Sequence, residues 1–357
     1  MLISYNKEIC FHNIELIDVE EIALMSSIDD SQNTKNQQVN PGWNYHPELP
    51  IKTSAVFSWP PKPVKIIMWI AKSWLVPSER TLWLVLGFAT WLWFMPPVEQ
   101  MKNLTWNWVL FIYLRNLISA VVVATVIHLY FHTFKRQGLR LGYEKLDLTT
   151  HGKHRRFTFN NQLLDNMFWT LGSGVTIWTA YEVLYFWAFA NGFMPTLEWS
   201  QNPVWFVALF VLIPLWSSVH FYWVHRMLHW PPLYHISHSV HHRNVITGPW
   251  SGLSMHPIEH LLYYSSILLH VVVATHPVHM LFHLYLLSLN PMAEHSGYEG
   301  LEVKGKNRFD LGNFFHQLHH RHFKCNYGTA AMPWDKWFGS FHDGTPEASR
   351  RIRKRRW

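Results

Sequence analysis

The sequence predicts an all-α integral membrane protein: about four transmembrane helices, a further re-entrant or hairpin helical pair, and a cytosolic, histidine-rich helical cap. Three observations predict it. Apolar runs of near-membrane length recur between residues 81 and 289. Charged residues make up only 15% of the 357, beside 21 Trp, 23 Phe and 14 Tyr. The chain carries 25 histidines, and six of them fall in the 18 residues HRMLHWPPLYHISHSVHH, directly after an apolar run. Mean hydropathy near zero reflects apolar blocks averaged with polar ends.

Residues 1–60 form a polar N-terminal arm, with DDSQNTKNQQVNPG reading as loop, and no basic stretch leading into an apolar one, so no cleavable signal peptide is expected. Residues 61–75, with Lys alternating among apolar and Trp positions, suit a short interfacial helix. Candidate spans follow at 81–95, 108–131, 167–190 and 203–224. A crossing needs about 20 apolar residues, so the first is marginal and the others are long enough. A fifth block, 258–289, has the length of a hairpin, with Pro277 as its turn; its histidines argue against full lipid exposure. The domain reading is therefore an arm (1–60), an interfacial helix with two spans and a basic cytosolic loop (61–164), a catalytic domain (165–342) and a basic C-terminal tail (343–357).

Charge gives the orientation. Loop 98–107 holds a single Lys102 and loop 192–202 no Lys or Arg, whereas 135–156 holds seven. Basic loops stay on the cytosolic side, so four crossings bring the chain back to that side near Val224. The net charge of +7 sits in such loops and in RRIRKRRW, a membrane-surface pattern and not a nucleic-acid stripe. Two cysteines, Cys10 and Cys325, and no CxxC exclude a disulfide framework and thiolate metal sites.

The histidines begin where the fourth span ends. His225 and His229 are four apart and share a helix face. His238, His241 and His242 repeat as i, i+3, i+4, and so do His316, His319 and His320. Neutral imidazole is the commonest metal ligand, and eight at one membrane face exceed the four that close a single tetrahedral site. Two ions roughly 3.5–4 Å apart would use them all, and neighbouring His241 and His242, about 100° apart on a helix, suit different ions. Imidazole alone does not choose among Zn, Cu, Fe and Ni. A redox metal facing a bilayer points to oxidation of an aliphatic chain or ring. His128, His132, His151, His154, His235, His276, His279 and His283 read as packing or hydrogen-bonded groups.

HRMLH, HSVHH and HQLHH, in this order, with FYWVHRMLH at the first and HHRHFKCNYGTAAMPWDKWFGS after the last, resemble the fatty acid hydroxylase/sterol desaturase superfamily. The resemblance covers residues 165–342 and leans toward sterol-desaturase-like members through NYG, WDKWFG and HPIE. It implies a membrane non-haem di-iron oxygenase that uses O2 and two external electrons to hydroxylate or desaturate a lipid. Zinc can substitute for the two irons in a purified sample. It also implies His295, in NPMAEHSGYE, as a ninth ligand. Glu299 then stands as a carboxylate ligand or as a group orienting a ligating imidazole. His256 is a candidate lining group and His322 a candidate hydrogen-bonding one. His220 occupies the place where the family often has Asp.

No HPGG-type haem module, GxGxxG or iron–sulfur cysteine set is present, so electrons must come from a partner: cytochrome b5, a ferredoxin or a reductase. The tail RRIRKRR suits docking that partner or attraction to anionic headgroups. The remaining partners are a lipid substrate and the membrane, with no nucleic acid. The location expected is a bacterial inner membrane or endoplasmic reticulum, with the metal site on the cytosolic face. Competing readings are a membrane metal-binding or metal-transport protein, and a zinc-dependent membrane hydrolase with Glu299 or Glu259 as base.

Overall fold

In the computed structural model, the described residues are 42–74, 78–145, 148 and 155–355. The chain divides into two units, Met1–Trp43 and Asn44–Trp357, and the architecture below is that of the second. Cys10, His151 and His154 lie outside the described residues.

Helix α1 (Pro63–Trp74) presents Val64, Ile67 and Met68 to the surface beside Lys65, as an interfacial helix would. Helix α2 (Glu79–Trp93) opens at Ser78, whose backbone N–H donates to Thr81 Oγ1. Its fifteen residues span about 22 Å at 1.5 Å per residue, short of a hydrocarbon core of about 30 Å. Helix α3 (Trp106–His128) runs on through a π turn to Thr133. It has two faces. Trp108, Ile112, Asn116, Ala120 and Ala124 recur every four residues and are buried, the small ones allowing close packing. Leu110, Leu114, Ile118, Val122 and Val126 are exposed on the other side, an apolar stripe too long for an ordinary water-facing surface.

Helices α4 (Gln162–Trp169) and α5 (Val175–Ala190) are joined by a π turn over Thr170–Gly174. Asn116 donates to Glu182 Oε2 at 2.9 Å, and Arg115 pairs with the fully buried Glu182 at its other oxygen. These are the Arg and Glu that the sequence places in two separate apolar runs; here they neutralise each other, and the pair tethers α3 to α5. Helix α6 (Pro203–Leu228) starts at Asn202, whose side chain caps Trp205 N–H, and keeps Pro214 inside.

Of the four expected spans, two helices, Trp106–Thr133 and Pro203–Leu228, are long and apolar enough to cross a membrane. The α4–α5 run holds Asp165, Asn166 and Glu182, all buried, and many Trp and Tyr.

After α6 the chain folds into short pieces. Pro231 and Pro232 cannot continue a helix, and a π turn (Tyr234–His238) leads into α7 (Ser239–His242). The 258–289 block forms α8 (Pro257–Tyr264), a 3-10 turn, α9 (Leu269–Val272), a break, and α10 (Pro277–Ser288). Pro277 opens α10, so the break falls where the sequence puts the turn. Helix α11 (Asn290–Glu294) precedes a β-hairpin, β1 (Gly300–Val303) with β2 (Lys306–Asp310), antiparallel with Val303 opposite Lys306. This corrects the all-α expectation in one detail. Lys304 and Gly305 both have positive φ, 53° and 74°, the turn whose twist suits a two-residue hairpin. Helix α12 (Phe314–His322), α13 (Trp334–Trp337) and α14 (Pro346–Arg353) complete the chain. Residues 44–60, grouped by sequence with the polar arm, bond to this region: Ile51 N–H donates to Asp343 O and Ser54 N–H to Ala330 O.

Candidate metal centre

Three helix ends and one turn deliver the histidines. His225 lies in the last turn of α6 and His229 is its C-cap. The π turn widens the backbone before α7, so His238, His241 and His242 fan out from consecutive turns. Asn313 caps α12 through a bond from His316 N–H (3.1 Å), and Phe323 ends that helix at φ 60°. His295 is the C-cap of α11, its Nδ1 2.8 Å from Pro291 O.

All nine are buried, and they fall into two sets. His225, His229, His238, His242 and His319 form the first; His241, His295, His316 and His320 form the second. Within each, the candidate ligand atoms lie within 4.8 Å of one another. In the first, His229 Nε2 is 3.1 Å from His238 Nε2, 3.1 Å from His242 Nε2 and 3.2 Å from His319 Nε2. In the second, His320 Nε2 is 3.1 Å from both His295 Nε2 and His316 Nε2.

The tautomers follow from the other ring nitrogens. His225 Nδ1 is 2.7 Å from Tyr327 O, His319 Nδ1 2.6 Å from Cys325 O, and His238 Nδ1 2.7 Å from a Glu259 oxygen. Carbonyl and carboxylate oxygens only accept, so these nitrogens carry the proton and each Nε2 is a bare lone pair. Burial lowers the pKa of His238, His241 and His319 to about 3 and that of His295 to about 4. The rings are therefore neutral at physiological pH. Lone pairs aimed at one another repel unless a cation lies between them. Nitrogens 3.0–3.2 Å apart also match adjacent ligands meeting at right angles around an ion at about 2.1 Å, the usual metal–imidazole length. The donor set fits two metal ions.

A family model described as Fatty acid hydroxylase matches residues 210–340, the stretch holding all nine histidines. Over that stretch the chain is similar to the fatty acid hydroxylase family. A Delta(7)-sterol 5(6)-desaturase of Gibberella zeae is 28% identical over 40% of this chain and 44% of its own length. Its counterpart in Saccharomyces cerevisiae is 31% identical over 34% of this chain and 32% of its own length. Methylsterol monooxygenase 1 of Gallus gallus is 31% identical over 43% and 53%. The chain thus spans about a third to a half of the length of these curated relatives. No solved structure matches it.

The superfamily's NYG and WD elements acquire a physical role here. The buried Asp335 carboxylate accepts from Tyr327 N–H (2.9 Å), Gly328 N–H (2.8 Å) and Ser340 Oγ (2.6 Å). That fixes the loop whose Tyr327 carbonyl orients His225. Asn326, at φ 53°, donates to Phe315 O and His342 O and accepts from His342 N–H, locking the loop to α12. At Gly328 a Cβ would meet Tyr222 Cδ2 at 3.1 Å and Asp335 Oδ2 at 3.2 Å.

Other candidates stand outside both sets. Glu299 accepts from Tyr143 Oη at 2.7 Å, and burial pushes its pKa up to about 7. His256 caps α8 by accepting from Ile258 N–H, and His322 stacks on His342 at 4.7 Å. His220, where the family often has Asp, contacts Ser265 Oγ at 2.9 Å. The carboxylate that does reach a cluster histidine is Glu259. The sequence signal was the acidic residue in HPIEH, and its distance of 21 residues from His238 hid the pairing. Such partners typically contribute 10–100-fold in metal affinity. Glu259→Gln, which keeps an acceptor but loses the charge, is expected to weaken metal affinity about tenfold, measured by competition with a chelator. His279, in contrast, sits with Nε2 2.8 Å from Phe206 O, so His279→Ala should leave metal per chain unchanged in elemental analysis.

Proposed function

We propose that the protein is an integral membrane oxidoreductase that uses O2 and two external electrons to hydroxylate or desaturate a lipid. Two iron ions would be held by His225, His229, His238, His242 and His319, and by His241, His295, His316 and His320. The observation that carries this reading is the inward convergence of nine buried imidazoles in sets of five and four. When bound, iron supplies the redox chemistry that activates O2 against an unreactive C–H bond.

The chain's own residues do the rest. Neutral rings spare a buried site part of the desolvation cost that several carboxylates would bring. Phe221 lies over His225 with ring centroids 4.8 Å apart and near His316 at 6.1 Å, with Tyr263 beside it, an aromatic layer that keeps water from the α6 side. The similarity to a sterol desaturase and a methylsterol monooxygenase supports a sterol-type substrate, with fatty-acyl lipid as the other class.

The exposed apolar stripe of α3 supports lipid contact, and we read α2, α3, α4–α5 and α6 as four crossings. The basic loop 135–156 supports a cytosolic metal face, in an endoplasmic reticulum or bacterial inner membrane. Residues 165–342 form the catalytic region, and electrons arrive from cytochrome b5, a ferredoxin or a reductase. A zinc hydrolase is less well supported: Glu259 is engaged by His238 and Glu299 by Tyr143.

The test is mass spectrometry of lipids from cells with and without the gene, alongside iron per chain in the purified protein. A lipid differing by one oxygen or two hydrogens, formed only with O2 and reductant, is expected. Product formation by zinc-loaded, iron-free protein would overturn the reading.

A further inference from the structure

A second set of buried histidines lies outside both metal groups. Tyr185 hydrogen-bonds to Thr275. Thr275 Oγ1 is 2.9 Å from His270 Nδ1, and His270 Nε2 is 3.0 Å from His283 Nδ1. His283 Nε2 then meets Ser217 Oγ at 2.8 Å and Ser266 Oγ at 3.1 Å. The string joins α5, the 273–276 break, α9, α10 and α6. His270 and His283 are fully buried in an otherwise apolar core. One turn further along α6, His220 Nε2 contacts Ser265 Oγ at 2.9 Å, five residues before His225. At the opposite end Thr275 O accepts from Leu197 N–H, where the loop 192–202 meets the break.

We propose that this string is a proton relay leading through the helical core toward the metal centre. The proposal rests on the oxygenase reading, because that chemistry consumes protons. Hydroxylation takes R–H, O2, two electrons from the external donor and two protons to R–OH and water. Desaturation takes the same co-reactants to an alkene and two waters.

The geometry suits transfer, because the bonds run in one continuous string from Thr275 to Ser217. Both nitrogens of both rings are engaged and the two rings are bonded directly to each other, so each neutral imidazole is donor on one side and acceptor on the other. A proton reaching Thr275 Oγ1 lets its hydroxyl proton move to His270 Nδ1. The His270 Nε2 proton passes to His283 Nδ1, and the His283 Nε2 proton to Ser217. As Ser217 takes that proton, its own hydroxyl proton leaves on the side facing the end of α6, so one bond to hydrogen forms for each that breaks and one proton is carried through. Burying polar rings in an apolar core is costly unless they are paired, and chains of this kind inside membrane domains mark proton routes.

The decisive variant is His283→Gln, which retains one donor and one acceptor but cannot hand a proton across. In full-length protein in phosphatidylcholine nanodiscs, iron per chain and melting temperature should match wild type. Turnover should fall about a hundredfold, the range of a lost proton-transfer group, with a larger solvent deuterium effect and partial recovery on adding imidazole. Wild-type turnover and isotope effect in His283→Gln would overturn the relay. If that variant misfolds, His270→Gln is read the same way. A second readout is independent of activity: in zinc-loaded protein, ¹⁵N spectra of His270 and His283 should show nitrogens averaged by proton exchange. Fixed tautomers on both rings would overturn the relay. Exchange without any O2-dependent lipid product would instead count against the oxygenase reading alone.

Discussion

Replacing His319 with alanine is expected to abolish O2-dependent turnover and to lower iron from two ions per chain to one or fewer. His319 Nε2 lies 3.0 Å from His242 Nε2 and 3.2 Å from His229 Nε2, and Cys325 O holds its Nδ1 at 2.6 Å. Alanine therefore removes an imidazole whose orientation was already fixed. The ring also packs on His225 at 4.4 Å, so the substitution opens space beside a second imidazole of the set. Elemental analysis and turnover with a reductant are the measurements. Two irons and normal turnover in His319→Ala would refute the grouping.

Asp335→Ala should be the most damaging change outside the two groups. Three donors converge on this buried carboxylate: Tyr327 N–H, Gly328 N–H and Ser340 Oγ. Each donor left unsatisfied inside a protein costs about 1–3 kcal/mol, so a loss on the order of 5 kcal/mol is expected. The damage reaches the metal, because the freed loop carries the carbonyl that sets the tautomer of His225. A lower melting temperature should thus accompany lower metal affinity. Asp335→Asn, which retains an acceptor oxygen but turns its amide toward N–H donors, should fall between. A melting temperature and metal affinity equal to wild type in Asp335→Ala would show that the loop holds itself.

That His241 and His242 point to different sets was legible, because helical spacing is a local property, whereas the division of each i, i+3, i+4 trio between the two sets was not. An i, i+4 pair such as His238 and His242 shares a face, and both fall in the first set. His241, turned away by about 100°, falls in the second. What could not be read were the partners of the outer nitrogens. Three are backbone carbonyls, of Tyr327, Cys325 and Pro291, and a carbonyl has no sequence signature. Glu299 was a candidate ligand or orienting group through the resemblance, four residues after His295, yet the chain enters the hairpin there and carries it toward Tyr143. The hairpin itself was announced only by a lone Lys304–Gly305 step. Among the spans, the short α2 matches the short apolar run that marked it as marginal, whereas the buried face of α3 emerged only from the structure.

His241 and His242 are consecutive, yet each serves a different set. On the proposed reading, a single peptide unit is thus a rigid strut between the two sets of imidazoles. Any adjustment of the gap between them during a reaction cycle has to come from swivelling rings, since the strut itself does not stretch. Occupancy of one position would accordingly pre-shape its twin, and the pair should fill cooperatively.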